Sequence, residues 1–269
     1  MIKLRSSFPW ELSIFPLLEL VFFIGSVVML KWSLLLAILL LLLASLSLSF
    51  GIHIFFHECV HRRPQYACLF NCVASVLMGL PFDGYRIHHY NHHAFENGAQ
   101  DFSTTWKTHT ESKVAYSLCT YTLGWPRQLI NSVKCKTPFG SSPDGANQIK
   151  TRIPAQKIAL LLTFTATLLI GWKVLLLYVT LIYVGWALTS LHNFGQHPPI
   201  ENADIPSYLN VLYNRVFFNN GLHWEHHAFP ELHWHELVPN NLSPKINHAH
   251  IISPLLPLLL PEIKNARSK

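Results

Sequence analysis

Charge is scarce in this sequence. Only 13% of its 269 residues are Asp, Glu, Lys or Arg, against roughly 25% in soluble globular domains. A water-soluble chain of this size needs polar residues to cover its surface, so an ordinary soluble protein is excluded. Half of the chain is hydrophobic, which excludes disorder and collagen-like structure. Cysteine is also sparse. The five cysteines, at positions 59, 68, 72, 119 and 135, are too few and too irregular for a disulfide scaffold. No Cys-x-x-Cys pair points to zinc or thiol redox chemistry. They fit reduced thiols in a membrane protein that faces the cytosol.

Long apolar runs are what the chain has instead. Positions 12–30 are mostly apolar, and 33–56 carry no charge at all. At about 1.5 Å per residue the second run extends roughly 36 Å, enough to cross a bilayer core of about 30 Å. A second pair follows at 158–172 and 174–191, broken by Lys173. Gly171-Trp172-Lys173 reads as a turn at the interface rather than the middle of one long helix. The expected fold is therefore an all-α integral membrane protein. It has two transmembrane helical hairpins, four spans in all, within a single domain over 1–269. The first run is too long for a signal peptide core and lacks a small-residue cleavage site. The third run is short, so its ends lie deep or thin the bilayer. Glu19 would cost roughly 2.5–3.5 kcal/mol at a span centre. It is expected near the helix start or against a neighbouring helix.

Positive charge sets the orientation. Lys31 and Lys173 lie on one side of this arrangement, and the other 18 of the 20 Lys and Arg lie opposite, with both termini. The positive-inside rule makes the second side cytoplasmic. Segments 57–157 and 192–269 then form a cytoplasmic helical cap. Positions 137–155 carry Pro138, Gly140, Pro143, Gly145 and Pro154 and read as a loop. Positions 66–80 and 114–130 are apolar but short, and are expected as helices in the interface or under the cap.

Histidine is in excess, at 17 residues. His57 and His61 stand where the second run ends. His89, His92 and His93 begin 32 residues after His57. Asn193 and His197 stand just past the fourth run, and His223, His226 and His227 begin 30 residues after Asn193. The chain thus repeats a unit: a hairpin, a polar pair at i and i+4, about thirty residues, then His-x-x-His-His. On a helix, residues i, i+3 and i+4 share a face, so each box presents imidazoles toward one place. Imidazole suits iron, copper, nickel and zinc. Nine histidines and one asparagine exceed the roughly four to six ligands of one ion, so two metals are expected to share them.

These boxes resemble those of the membrane-bound fatty acid desaturase superfamily, which also holds hydroxylases, ketolases and related oxygenases. The likeness rests on His57-x-x-x-His61, His89-x-x-His92-His93 and His223-x-x-His226-His227. Asn193-x-x-x-His197 and the stretch 219–237 resemble the acyl desaturase branch. The resemblance implies a non-haem diiron centre, two Fe ions with O2 as co-substrate. The nine histidines would be the ligands, and Asn193 a direct or water-mediated partner. It further implies oxidation of an unactivated C–H bond in a lipid acyl chain, a membrane lipid environment, and a separate ferredoxin- or cytochrome-like electron donor. No nucleic acid partner is expected.

Other residues receive their own readings. His88-x-x-x-His92 is a competing register. His53 and His192 sit at span ends, His233 and His235 flank Trp234, and His109, His248 and His250 read as surface residues. Glu58, Asp101, Glu225 and Glu231 are candidates to accept from ligand imidazoles, or to pair with cations such as Arg86 or Lys107. Phe55, Phe56, Phe82, Tyr85, Trp106 and Phe229 are candidates to line an acyl groove. The main rival is a membrane zinc protease. His57-Glu58-x-x-His61 satisfies its pattern, with Asp83-Gly84 as a third-ligand motif, but it leaves the other boxes without a role. A haem-carrying subunit is a second rival, although such histidines usually lie inside spans.

Overall fold

The computed structural model describes residues 9–61, 68–98, 100–105, 118–134, 143–197, 205–242 and 245–246. A 3-10 turn, Trp10–Ser13, leads into α1 (Ile14–Met29). A turn over 30–33 follows, and Ser33 caps α2 (Leu34–Phe50) by accepting from the Leu36 N–H, which satisfies one of the donors orphaned at a helix start. The helix then widens into a π-turn, Gly51–Phe56, and continues as α3 (His57–His61). The apolar helix therefore runs unbroken over Leu34–His61, and the first histidine pair lies on it rather than beyond its end. A π-turn inserts an extra residue and so resets which faces the residues after it present.

Next come α4 (Cys68–Met78) and α5 (Phe82–Phe95), bent by 81° to each other. The bend falls at Gly79-Leu80-Pro81. Gly79 has φ +70, a conformation glycine adopts without steric cost. Short helices α6 (Leu118–Leu123) and α7 (Trp125–Lys134) follow. Then α8 (Pro143–Ile170) and α9 (Trp172–Gln196) meet at Gly171. The remaining elements are a strand, Ser207–Tyr208, then α10 (Val211–Val216), α11 (His223–Ala228), a 3-10 turn, Trp234–Glu236, and a second strand, Lys245–Ile246. The two-residue strands pair in parallel. Otherwise the described fold is helical.

Among the described residues, four helices are long and apolar enough to cross a membrane, Trp10–Met29, Leu34–His61, Thr151–Ile170 and Trp172–Gln196, and the bent pair Cys68–Met78 and Phe82–Phe95 makes a fifth if it crosses as one broken span. Two expectations need correction. The segment read as a loop over 137–155 is helical from Pro143 onward, and the third span starts at Thr151 rather than at 158. Proline at a first helical position sacrifices no hydrogen bond, so Pro143 starts this helix instead of preventing it. Pro154 lies inside it. Positions 137–142 lie outside the described residues.

Packing brings α1 onto α2, α2 onto α9, and α8 onto both α4 and α9. Gly185 permits the close approach of α9 to α2, since a Cβ there would meet Leu48 Cδ2 at 2.6 Å. Glu19 is buried against protein, in agreement with the neighbour-facing reading. A buried polar knot joins α4, α5 and α8. Asp83 accepts from Gln156 Nε2 at 2.5 Å, Asn71 Nδ2 at 3.0 Å and Arg86 Nη1 at 3.1 Å. Asp83 is thus occupied in fixing α5, away from any role as a third metal ligand.

Candidate metal centre

The nine box histidines converge into two adjoining clusters. One holds His57, His61, His89, His93 and His226, and the other holds His92, His197, His223 and His227. Within each cluster one donor atom per residue lies within 4.8 Å of the others. His93 and His227, one from each cluster, stack with ring centroids 4.2 Å apart.

The boxes do not each serve one place, as the sequence suggested. Each His-x-x-His-His is divided. His89 and His93 go to one cluster and His92 to the other, and His223 and His227 go opposite to His226. Helix geometry gives the reason. At 3.6 residues per turn, positions i and i+4 differ by about 40° around the axis, while i+3 lies about 60° the other way. The i, i+4 pair can therefore close on one point while i+3 points about 100° aside. The repeat in sequence becomes a cross-over in space. Each box gives a pair to the cluster of its own preceding helix and one imidazole to the other.

The ring nitrogens face one another tip to tip. Nε2–Nε2 distances are 2.7 Å for His61 and His89, 3.0 Å for His92 and His197, 2.9 Å for His197 and His223, and 3.1 Å for His93 and His226. One neutral pair can share a single proton, but His197 Nε2 meets two other Nε2 atoms at once. His227 Nε2 is buried without a hydrogen-bond partner. Nitrogens bound to one ion at about 2.1 Å lie about 3 Å apart, so these spacings fit lone pairs aimed at a shared cation. Burial first, and neighbouring imidazoles second, push His89, His93, His197, His223 and His226 well below the usual 6.5. Burial also lowers His227 to about 4 against the pull of Glu96. These rings are held neutral, the form that binds metal.

Carboxylates and an indole hold the rings. His92 Nδ1 donates to Asp101 Oδ2 at 2.8 Å. Burial pushes the Asp101 carboxyl up, but His92 and the N–H groups of Ser103 and Asn97 outweigh it and keep it below its usual range. Glu96 Oε1 lies 3.5 Å from His227 Nδ1. Trp234 is buried and stacks on His57 and on His226, at 5.0 Å and 4.5 Å between centroids. Of the four carboxylates named from sequence, Asp101 is seen on a ring of the two clusters. Glu58 pairs with His233. Glu225 accepts from Ser207 Oγ and from the Asn240 N–H, and Glu231 is exposed. Arg86 binds Asp83 rather than Asp101, and Lys107 lies outside the described residues. Sequence reasoning missed Glu96 and the stacking of Trp234. Neither has a spacing signature, since each reaches its histidine through the fold.

Asn193 donates from Nδ2 to the Tyr121 hydroxyl at 2.5 Å. His88 meets Ser103 Oγ at 2.6 Å and belongs to neither cluster. His53 and His192 lie 4.2 Å apart between ring centroids. They bond to the Thr189 carbonyl and to Asn220, respectively. His109, His248 and His250 lie outside the described residues.

A cavity of about 60 Å³ opens beside the clusters, lined in part by His57, His92, Tyr85, Tyr121, Trp186 and Asn193. Of the aromatic residues proposed for a groove, Tyr85 lines it. Phe55, Phe56 and Phe82 belong to the apolar core instead. Phe229 lines a separate surface groove, and Trp106 lies outside the described residues.

The fatty acid desaturase family model matches residues 31–247. No curated protein matches this sequence. With four-fifths of its length matched, the chain belongs to the fatty acid desaturase family.

Proposed function

We propose that this member of the family is an acyl desaturase of a lipid membrane, with the two histidine clusters each holding one iron. The observation that carries the reading is the partition of nine imidazoles into adjoining groups of five and four. Unactivated C–H bonds have no acidic proton for a side chain to remove, so the chemistry must come from a cofactor. Two irons and dioxygen would supply that oxidation when bound.

The protein residues supply position and environment. The nine histidines are the proposed ligands. Asn193 is a tenth, direct or through water, and stands in the repeat where His57 stands in the first unit. Its amide nitrogen is committed to Tyr121, which leaves the carbonyl oxygen as the end suited to an ion or its water. Asp101 holds the proton on His92 Nδ1 and so presents Nε2 as the donor atom. Trp234 fixes the planes of His57 and His226. Tyr85 and Trp186, packed edge to face at 5.5 Å, wall the cavity and keep bulk water from it. The cavity is smaller than the roughly 300 Å³ of a typical ligand site. Only the reacting segment of an acyl chain reaches it, with the rest of the chain held outside.

The wider reading follows the sequence. The four spans form two hairpins, and the histidine ends and both termini face the cytoplasm, supported by the bias of Lys and Arg to that side. The whole chain acts as one domain. Two electrons per turnover come from a separate donor protein that docks on this basic face. The zinc protease reading needs Glu58 turned toward a metal-bound water, and the pairing of Glu58 with His233 disfavours it.

Expression in a host followed by mass spectrometry of its lipids tests the function, with His226→Ala as control. Acyl chains that lose two hydrogens support desaturation. Chains that gain one oxygen atom make the enzyme a hydroxylase, and an altered carotenoid pool with unchanged acyl chains overturns the acyl reading. Glu58→Gln only weakens a desaturase and abolishes a protease.

A further inference from the structure

Three residues gather outside the nine-histidine centre. Glu11 lies in the 3-10 turn Trp10–Ser13 that opens the first span. His233 and His235 bracket Trp234 at the turn Trp234–Glu236. One donor atom from each of the three lies within 4.8 Å of the other two. The two imidazoles stack with centroids 4.7 Å apart and planes 27° from parallel. His233 is buried, while Glu11 and His235 are at the surface.

A separate observation concerns the far side of His233. Its Nδ1 is paired with the buried carboxylate of Glu58. The carboxylate holds the ring in place, and the one lone pair of the neutral ring accepts from the Glu236 N–H, a bond that an ion bound there would replace. Histidines that bind metals are commonly held in this way. Glu58 itself belongs to neither central cluster.

We propose that Glu11, His233 and His235 form a third metal site that takes one Zn2+, with water as the fourth ligand. Two imidazole nitrogens and one carboxylate oxygen match the three-ligand sets of zinc. Calcium and magnesium prefer all-oxygen surroundings. Donors on one zinc ion lie about 3–3.5 Å apart, so the trio closes on binding. Glu11 and His235 are surface side chains, whose rotamers change readily. The bound ion ties the start of the first span to the turn that seats Trp234 on His57 and His226. It is a clamp on the outer wall of the central site.

The test uses the full chain in detergent, stripped with a chelator and dialysed against Zn2+. Bound zinc per chain is counted by elemental mass spectrometry, and the zinc-induced rise in Tm is measured. Zinc that enters the central clusters is common to every variant and cancels in the difference. The unmodified chain binds one ion more than Glu11→Gln or His235→Ala, and its Tm rise is the larger. Glu58→Gln weakens the outer ion about 10-fold while leaving its three ligands in place. Equal zinc counts and equal Tm rises in the unmodified chain and Glu11→Gln overturn the proposal. Should His235→Ala fail to fold, the isosteric and exposed Glu11→Gln decides alone. Failure of the iron reading shows as absence of iron from the unmodified chain and leaves this zinc difference unchanged.

Discussion

His92 and Asp101 meet at 2.8 Å between Nδ1 and Oδ2, both buried, nine residues apart in the chain. The carboxylate is itself anchored by the N–H groups of Asn97 and Ser103. The ring of His92 therefore has one tautomer and one orientation. Asp101→Asn keeps the shape but loses the charge. Its iron affinity is expected to fall about 10- to 100-fold, measured by chelator competition, and the metal-free Tm falls as well, because both carboxylate oxygens accept from N–H groups that the amide NH2 cannot satisfy. Unchanged affinity would show that His92 is not a ligand.

The division of the boxes predicts a particular iron count. His61 serves one cluster and His197 the other. His61→Ala and His197→Ala are each expected to lower iron from about two to about one per chain and to abolish activity, because a two-metal site needs both ions. Two irons retained in either variant would contradict the assignment of that histidine.

Trp234 combines complete burial with stacking on two histidines. Trp234→Ala leaves a cavity and should cost about 3–5 kcal/mol. Trp234→Phe preserves a ring against His57 and His226 and should cost less than half of that. Urea titration of the detergent-solubilised protein gives both values.

Gly185 sets the distance between two spans. A methyl group there meets Leu48, so Gly185→Ala forces α2 and α9 apart or Leu48 out of its rotamer. The expected loss is about 1–3 kcal/mol, read as a lower Tm. Leu48→Ala in the same chain should recover part of it.

Acid should destabilise the metal-free protein in a defined window. An unfolded histidine takes a proton near pH 6.5, whereas His227 takes one only near 4 and burial holds His223 and His226 well below the usual value. Between those limits the unfolded chain binds more protons than the folded one. Stability therefore falls as pH drops from about 6.5 toward 4 and is level above about 7. Tm measured across pH 4–8 after metal removal checks the sign, and a Tm that rises on acidification would contradict it.

The sequence alone determined where the apolar helices run and which imidazoles lie on neighbouring positions of one helix. Both follow from local rules, the length of an uncharged run and the angular step of 3.6 residues per turn. It also placed Asp101 among the carboxylates near a box. It misread 143–155, because proline and glycine content signals a loop only where no packing opposes it. Tertiary structure alone decided that each box is split between two clusters, that Glu96 and Trp234 reach His227, His57 and His226, and that Glu11 meets His233 and His235. Spacing along a helix fixes the direction in which a side chain leaves the axis. Which partner stands in that direction depends on how separate helices pack, and that depends on contacts between residues far apart in the chain.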